Sequence, residues 1–395
     1  MNYDSINTPT IINACGTVTR LGGAPIRQSA LDAYRSASDY SVSIEQLHAS
    51  ASTRLAELSG AQAGLITSGA AAALTLGTAA ILAGYDAAKM DALPHADEFA
   101  NEMIIAREHR SGYDHAIRAA GARLVEVGLN EQISGAGVRR VETWEYEAAI
   151  NENTAGIVYV IQNSSRPALS EIITLAKQHD LPIIADAAGE LPPHDNFKKL
   201  ATCGVDLVAF SGGKVIGGPQ ATGILLGDKD LIASSALQML DMDDHPQLWD
   251  PPASLINKSK LTGMPRHGLG RGMKVAKEEV LAVLAALEEF LNENPEDLHS
   301  NCMDILRQIE SSISDCGIIL SYQDNGPASI PRLLIDVAEA GMDAFDVCRN
   351  LRNQSTPIYI NHGLLDDGLL MIHPVALRQR DIEPLVAGLR SALVS

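Results

Sequence analysis

The stretch DLVAFSGGKVIGGPQATG, residues 206–223, places a single lysine, Lys214, among residues with very small side chains. Ser211 precedes this lysine by three positions, and a carboxylate, Asp186, ends the earlier apolar run LPIIAD. A third segment, Ser68-Gly69-Ala70-Ala71, follows the apolar run AGLIT. An amine, a carboxylate and a glycine-containing turn can together hold and activate a small molecule, provided that the fold brings them to one place.

These segments follow short apolar runs that alternate with segments of helical pattern. The predicted strands are AGLIT, EMIIA, RLVEV, GIVYVIQ, LPIIAD and VDLVAFS. From GIVYVIQ onward the runs are continuously apolar, which is typical of a parallel sheet covered by helices on both faces. Ligands bind outside the carboxyl ends of the strands in such a sheet. We therefore expect these groups to share one edge with His109, which follows EMIIA, and Asn163, which follows GIVYVIQ.

Lys214 and Asp186, at the ends of two strands, predict a site for pyridoxal phosphate (PLP). The amine of Lys214 can form a Schiff base with the PLP aldehyde, and Asp186 can keep the pyridine nitrogen protonated so that the ring accepts electrons. The helix start at residues 68–71 offers backbone N–H groups to the phosphate, and Ser211 can add a hydroxyl. The glycines beside Lys214 are expected to let the flat ring approach the backbone.

Two other phosphate-binding patterns are excluded. A Walker P-loop needs a glycine at position 208 and a serine or threonine at position 215, and valines stand at both. Gly69 does not belong to a GxGxxG motif, so a dinucleotide site is unsupported.

Composition limits the class of protein. The chain has 395 residues, of which 46% are hydrophobic and 20% charged, and no apolar window is long enough to span a bilayer. The formal net charge of −19 disfavours nucleic-acid binding. The five cysteines have no metal-ligand spacing, Cys15 is expected to be buried, and the N-terminus lacks a signal-peptide pattern. We expect a cytoplasmic protein without a metal site and without a nucleic-acid or membrane partner.

Three regions are predicted along the chain. Residues 1–45 have the pattern of an irregular N-terminal arm, and residues 46–265 that of a large α/β domain that binds PLP. Residues 266–395 are predicted to form a linking helix, over 274–294, followed by a smaller α+β C-terminal domain.

Six stretches between about residue 11 and residue 290 carry a family resemblance. They are INACGTVTRLGGAP, LAELSGAQAGLITSGAAAALTL, HRSGYDHAIRAAGA, IIADAAGELPP, VDLVAFSGGKVIGGPQATGILLG and GLGRGMKVAKEEVLAVLAAL. In these stretches the chain resembles the fold-type I PLP-dependent enzymes. More narrowly it resembles the selenocysteine-synthase-like group, and within it the D-glucosaminate-6-phosphate ammonia-lyases. The resemblance implies a mostly parallel seven-stranded sheet, and a homodimer or a multiple of dimers with the active site at the subunit interface.

The resemblance also implies catalytic roles for three residues. Lys214 resembles the Schiff-base lysine, Asp186 the partner of the pyridine nitrogen, and His109 the residue stacked on the ring. Gly270 and Arg271 resemble a segment that approaches the phosphate of the neighbouring subunit. The predicted cofactor-binding residues are Ser68, Gly69, Ala70, Ala71, Asn163, Asp186, Ser211, Lys214, Gly270 and Arg271, with Asn163 included for its position at a strand end.

Structural interpretations of these residues stay open. Lys214 can be a solvated loop lysine, and Asp186 can be a helix N-cap or a salt-bridge partner. The turn at residues 68–69 can lack a ligand. His109 can lie on the surface, where His115 competes for its role. Any of the arginines can be a surface charge or part of an ion pair.

The predicted reaction removes a β-leaving group, water, from an amino acid and gives a 2-keto acid and ammonia. Lys214, its pKa lowered by its surroundings, is expected to remove the α-proton. Members of the resembling group bind anionic substrates, so we expect a D-configured amino acid with an anionic tail. His362 and His373 stand where the group is expected to carry a basic residue, which argues against a sugar-phosphate substrate in particular.

Other functions stay open. The same scaffold supports an aminotransferase, a racemase or an aldol-type lyase. A selenocysteine-synthase-like transferase would bind a charged tRNA, against which the net charge argues. A non-catalytic binding protein with this fold would have no need of the complete Asp186 and Lys214 pair.

Overall fold

The computed structural model of the protein describes residues 2–129 and 140–393. The chain forms two compact units. The larger consists of Ile26–Leu191 and Asp195–Glu289, and the smaller of Met1–Pro25, Pro192–His194 and Phe290–Ser395. The predicted division of the sequence after residues 45 and 265 stays a prediction.

Twelve strands lie within the described residues. In chain order they are β1 (Ile12–Ala14), β2 (Ala63–Thr67), β3 (Glu102–Ala106), β4 (Arg123–Val127), β5 (Thr154–Val160), β6 (Ile183–Asp186), β7 (Leu207–Ser211), β8 (Gly223–Gly227), β9 (Ile319–Gln323), β10 (Arg332–Asp336), β11 (Ile358–Ile360) and β12 (Leu369–Ile372).

The described α-helices number thirteen. They are α1 (Gln28–Ser38), α2 (Ile44–Ser59), α3 (Ala70–Ala83), α4 (Ala87–Ala92), α5 (His115–Ala119), α6 (Thr143–Ala149), α7 (Leu169–Gln178), α8 (Asn196–Ala201), α9 (Lys229–Met239), α10 (Lys277–Asn292), α11 (Pro295–Ile313), α12 (Ala344–Arg352) and α13 (Gln379–Leu393).

A seven-stranded sheet forms the centre of the larger unit. Its strand order is β2-β8-β7-β6-β5-β3-β4. β8 runs antiparallel to both of its neighbours, and the other adjacent pairs are parallel. Every residue of β2, β3 and β8 is buried, as expected for strands covered on both faces. The predicted α/β fold with a mostly parallel seven-stranded sheet is confirmed.

Helix α3 packs directly on this sheet, because its residues are small. Alanine, glycine and threonine occupy most of its positions, and nearly all of them are buried. A Cβ atom added at Gly77 would lie 2.7 Å from the Cδ1 atom of Ile184 and 3.0 Å from that of Leu207. The close approach fixes the start of α3 relative to the ends of the strands.

The smaller unit combines two small sheets with α11, α12 and α13. β9, β10 and β12 form an antiparallel sheet, and β1 pairs in parallel with β11. Its core is aliphatic, with Leu306, Leu333, Ile335, Leu370 and Leu389 all fully buried. This unit has the α+β character predicted for the C-terminal part of the chain.

The region predicted as an irregular arm contains a regular element, and this expectation is corrected. Residues 28–38 form α1, in which only Ala30 and Ala37 are buried while Leu31 and Tyr34 are exposed. The larger hydrophobic residues therefore do not mark a buried face, and this obscures the helical period.

Candidate functional site

The strand directions gather the predicted residues at one edge of the seven-stranded sheet. β2 and β7 both run antiparallel to β8, so their carboxyl ends point the same way as those of β3, β5 and β6. Gly223 at the start of β8 pairs with Thr67 on one side and with Ser211 on the other. The turn after Thr67 and the segment after Ser211 therefore flank one residue of the same edge.

Asp186 and Lys214 share one electrostatic environment at this edge. Burial raises the pKa of Asp186, while a hydrogen bond from the Ala188 N–H, 2.9 Å long, and the charge of Lys214 oppose the rise. Burial also lowers the pKa of Lys214, against the attraction of Asp186 and Glu190. Each group thus lies close enough to influence the other, and for each the uncharged form is favoured by burial. This is the pairing that the sequence predicts.

The start of α3 has the properties of an anion site. Gly69 is its N-cap, with φ of 93°, and no side chain caps the helix. Nothing lies within 4 Å of a Cβ atom built on Gly69, so the space in front of the first N–H groups, at Ala70 and Ala71, is open. A 14-residue helix with an uncapped N-terminus favours a phosphate there.

Two serine hydroxyls at the same edge are available to a ligand. Ser68 and Ser211 are both half-buried. Within the described residues neither hydroxyl has a hydrogen-bond partner. A partly buried hydroxyl is ordinarily hydrogen-bonded, so these two suit the oxygens of a phosphate group.

The glycines around Lys214 have a different function from the one expected. A Cβ atom at Gly212 would lie 2.4 Å from Thr222 Oγ1, and one at Gly213 would lie 2.6 Å from the Gln220 Cα atom. The missing side chains make room for the protein's own chain, which folds back tightly after Lys214. The expectation that they admit the cofactor ring is corrected, and their effect is to hold Lys214 in place.

His109 lies at this edge as a buried, neutral imidazole. Its ring meets that of Tyr159 edge-on at 4.8 Å, and its Nδ1 atom accepts a 3.5 Å hydrogen bond from the Val160 N–H. Burial lowers the pKa of His109, and its Nε2 atom has no partner within the described residues. With Asp186 it lines a cavity of about 20 Å³. His115, its competitor in the sequence, is exposed.

The remaining predicted residues lie in other surroundings. Asn163 is exposed beyond the end of β5. Gly270 is buried, and Arg271 forms an ion pair with Asp241 of the same chain. Hydrogen bonds from a backbone N–H and from Arg271 lower the pKa of Asp241 to about 2. The role of Asn163, Gly270 and Arg271 at a phosphate stays a prediction.

The arginines nearest to the family motifs are mostly engaged in ion pairs. Arg107 pairs with Glu126, Arg110 with Asp114 and Glu126, and Arg266 with Asp91. Arg20 differs, because its guanidinium lies 5.6 Å from the centre of the Tyr359 ring, which Arg352 also approaches to 5.2 Å.

Sequence reasoning missed one titratable residue of the edge, Glu190. It lies four residues after Asp186 and is half-buried. Burial and the charge of Asp186 raise its pKa, and the charge of Lys214 opposes them. The signal was present in the stretch DAAGE, where a second acid follows the strand end at turn spacing.

The residues present fit the predicted cofactor. PLP needs an amine for its aldehyde, an acid for its ring nitrogen, a flat contact for its ring and donors for its phosphate. Lys214, Asp186, His109 with its unpartnered Nε2, and the uncapped start of α3 with two unpartnered serine hydroxyls supply these in turn.

These observations define the class: an α/β enzyme fold with its site at the carboxyl edge of a mostly parallel sheet. The particular family follows from comparison. The chain belongs to the family described as "SelA: L-seryl-tRNA selenium transferase", whose model matches residues 11–242. The selenocysteine-synthase-like resemblance predicted from the motifs is confirmed.

Two curated relatives match nearly the whole chain. The 5'-C-glycyluridine monooxygenase-decarboxylase of a Streptomyces species is 26% identical over 408 residues, which cover 100% of this chain and 92% of the relative. The D-glucosaminate-6-phosphate ammonia lyase of Salmonella typhimurium (strain 14028s) is 26% identical over 397 residues, covering 98% of this chain and 96% of the relative.

Solved structures agree with the fold. A structure of D-glucosaminate-6-phosphate ammonia-lyase is 26% identical and superposes with a TM-score of 0.80, covering 99% of this chain and 97% of that one. A serine palmitoyltransferase from S. paucimobilis, solved with a bound PLP–myriocin aldimine, shares the fold at a TM-score of 0.53 and 11% identity, covering 97% and 86% of the two chains. Across the described parts of the chain, no helix is both long and apolar enough to cross a membrane.

Proposed function

We propose that this protein is a PLP-dependent ammonia-lyase that removes water from the β-position of an amino acid and releases a 2-keto acid and ammonia. The observation that carries the proposal is the pairing of Lys214 with Asp186 at the carboxyl edge of the sheet. The ammonia-lyase relative, which is similar over almost its entire length, supports the choice of reaction.

The residues of the edge would hold PLP in distinct ways. Lys214 would bond to its aldehyde carbon, Asp186 would face its ring nitrogen, and His109 would contact its ring. The N–H groups of Ala70 and Ala71, with the serine hydroxyls of residues 68 and 211, would bind its phosphate. When bound, PLP supplies an electron sink that stabilises negative charge at the α-carbon of an amino acid.

The protein's own groups then manage protons around that carbon. Lys214 is suited to be the base that takes the α-proton, because burial lowers its pKa and so raises the fraction of free amine near neutral pH. Asp186, as a carboxylate facing the protonated ring nitrogen, would keep the proton on that nitrogen. His109 is neutral and contributes a ring contact rather than a charge.

The substrate is proposed to be a D-configured amino acid with an anionic tail, as the name of the ammonia-lyase relative suggests. His373 does not replace the basic residue expected for such a tail, because burial lowers its pKa to about 4 and leaves it uncharged at neutral pH. We further propose a cytoplasmic homodimer or multiple of dimers, with the active site at the subunit interface and no nucleic-acid or membrane partner.

A second candidate is a different reaction at the same site. The monooxygenase-decarboxylase relative covers the chain as fully as the ammonia-lyase does and at the same identity. An oxygen-dependent reaction would consume dissolved oxygen during turnover, whereas elimination of water would not. The alternatives of transamination, racemisation, aldol cleavage and transfer to tRNA leave other products and are separated in the same assay.

The test is a screen of purified protein with PLP against D- and L-hydroxy amino acids, with and without anionic tails. Formation of keto acid and ammonia in equal amounts, without oxygen uptake, is the expected result. Borohydride reduction followed by peptide mass mapping should place the cofactor on the peptide that contains Lys214, and Lys214→Ala should abolish that adduct. Keto acid formation that requires a second, accepting keto acid would show transamination instead.

A further inference from the structure

We propose that Glu190 is the general acid that protonates the leaving hydroxyl in this elimination, which rests on the function proposed above. The side chain is brought to the site by the turn that follows β6. The Glu190 N–H donates to the Ala187 carbonyl at 3.1 Å, and the Asn196 side chain donates to the Glu190 carbonyl at 2.9 Å. These two bonds fix the backbone of Glu190 at the carboxyl edge of the sheet.

Glu190 forms one cluster with Asp186 and Lys214. Its charge interacts with both of theirs, although it belongs to a turn rather than to a strand. Beside it, nothing lies within 4 Å of a Cβ atom built on Gly189, so the turn borders open space. A substrate bound between the amine and that space would lie within reach of the Glu190 carboxyl group.

The carboxyl group of Glu190 lacks the partners that structural acids of this chain have. Asp114 is held by Arg110 at 2.5 Å and Arg118 at 3.3 Å, and Asp206 accepts a 2.8 Å hydrogen bond from the Ile183 N–H. For the Glu190 carboxyl group no hydrogen bond or ion pair is found in the part of the chain that the structure describes. A half-buried acid without such partners favours the protonated form, which is the form that can donate a proton.

The chemistry requires such a donor. When Lys214 takes the α-proton, the Cβ–O bond breaks with both electrons on oxygen, and hydroxide is a poor leaving group unless a proton reaches it. Glu190 gives its proton to that oxygen and water departs. The unsaturated amine released then takes up one water molecule and yields the 2-keto acid and ammonia, so that atoms balance. Glu190 regains a proton from solvent or from the Lys214 ammonium group.

The decisive experiment compares two leaving groups. Chloride departs without protonation, so Glu190→Gln should lower kcat about 100-fold or more for serine and only a few-fold for β-chloroalanine, each of the configuration that the wild type accepts. KM for serine should change little. Glu152→Gln makes the same chemical change at an exposed acid and serves as the matched control. Equal losses on serine and β-chloroalanine would overturn the inference.

A second readout does not depend on turnover. Because the pKa of Glu190 in the folded protein is raised, ionising it costs stability as pH rises above the ordinary pKa of a glutamate. The purified Glu190→Gln protein should therefore have a higher Tm than the wild type at neutral pH, and the difference should vanish below about pH 4. An unchanged Tm at neutral pH would count against the proton-holding role. If the wild type converts neither substrate, the proposed function fails, and this readout still decides the state of Glu190.

Discussion

Gly223 lies directly against the turn that opens α3. A Cβ atom added at Gly223 would come within 2.3 Å of the carbonyl carbon of Gly69 and 2.5 Å of the Ala70 nitrogen. These are backbone atoms, which cannot turn away as a flexible side chain can. The contact joins the first residue of β8 to the proposed phosphate site, so the two must move together.

Gly223→Ala should therefore damage stability and cofactor binding at once. Overpacking against fixed backbone costs about 1–3 kcal/mol or more, and the displaced N–H groups at Gly69 and Ala70 should weaken PLP affinity at least tenfold. Thermal unfolding and a PLP titration followed by absorbance measure the two effects. Gly263→Ala, at a site with nothing within 4 Å, is the control and should change neither.

The hydroxyls of Ser68 and Ser211 should matter for the cofactor and not for the fold. Neither has an internal hydrogen-bond partner within the described residues, so Ser→Ala at either position should leave Tm without cofactor nearly unchanged. Loss of one phosphate hydrogen bond should raise the Kd for PLP about 10-fold, since a bond to a charged group contributes about 1.5–3 kcal/mol.

Ser52 provides the opposite case for comparison. It is buried, and its hydroxyl accepts a 3.1 Å hydrogen bond from the Gly64 N–H. Ser52→Ala strands that N–H and should lower stability by about 1–3 kcal/mol. A Ser211→Ala protein that loses as much stability as Ser52→Ala, with no change in PLP affinity, would contradict the proposed phosphate site.

Asp186 and Asp114 should respond to the same substitution with opposite signs of stability. Burial raises the pKa of Asp186 in the folded state, so its ionisation destabilises the cofactor-free protein above about pH 4. Asp186→Asn should then raise Tm at neutral pH, with the gain disappearing as pH falls below 4. Catalytic turnover should fall steeply at the same time, because the ring nitrogen loses its acidic partner.

Asp114 is the structural counterpart. Burial pushes its pKa upward, but the hydrogen bonds and charges of Arg110 and Arg118 outweigh burial and hold it below its ordinary value. Its stabilising effect is present above the ordinary pKa of an aspartate and is lost as pH falls through the lowered one. Asp114→Asn should therefore lower Tm at neutral pH. An Asp186→Asn protein that is also less stable at neutral pH would show that Asp186 acts as a structural acid.

The parts of the fold that the sequence predicts are those with continuous apolar runs. GIVYVIQ and LPIIAD end at β5 and β6 because buried parallel strands admit few polar residues before their carboxyl ends. β8 was not predicted, because GILLG begins and ends in glycine and has the look of a loop continuing from Lys214. The contact of Gly223 with Gly69 explains this glycine, and such a contact is visible only in three dimensions.

Helix α9 was hidden by polar residues that are in fact buried. The Ser235 hydroxyl donates to the Leu231 carbonyl at 2.9 Å, and Ser234 bonds to the Gly84 carbonyl at 2.5 Å. Serines satisfied in this way lie inside the protein without marking a polar face. Glu190 escaped prediction for a related reason. Its place next to Lys214 depends on how the turn at residues 187–190 folds back, and sequence spacing does not determine that.

The lowered pKa of Lys214 can be measured directly in the cofactor-free protein. Burial removes water from its ammonium group, and the attraction of Asp186 and Glu190 only partly offsets the cost. Reaction with an amine-selective acylating reagent at a series of pH values, read by peptide mass spectrometry, should give Lys214 a lower midpoint than the exposed Lys229. Because each acid stabilises the charged amine, Asp186→Asn and Glu190→Gln should each lower that midpoint further. A midpoint for Lys214 at or above that of Lys229 would mean that the amine is solvated and would remove the base from the proposed mechanism.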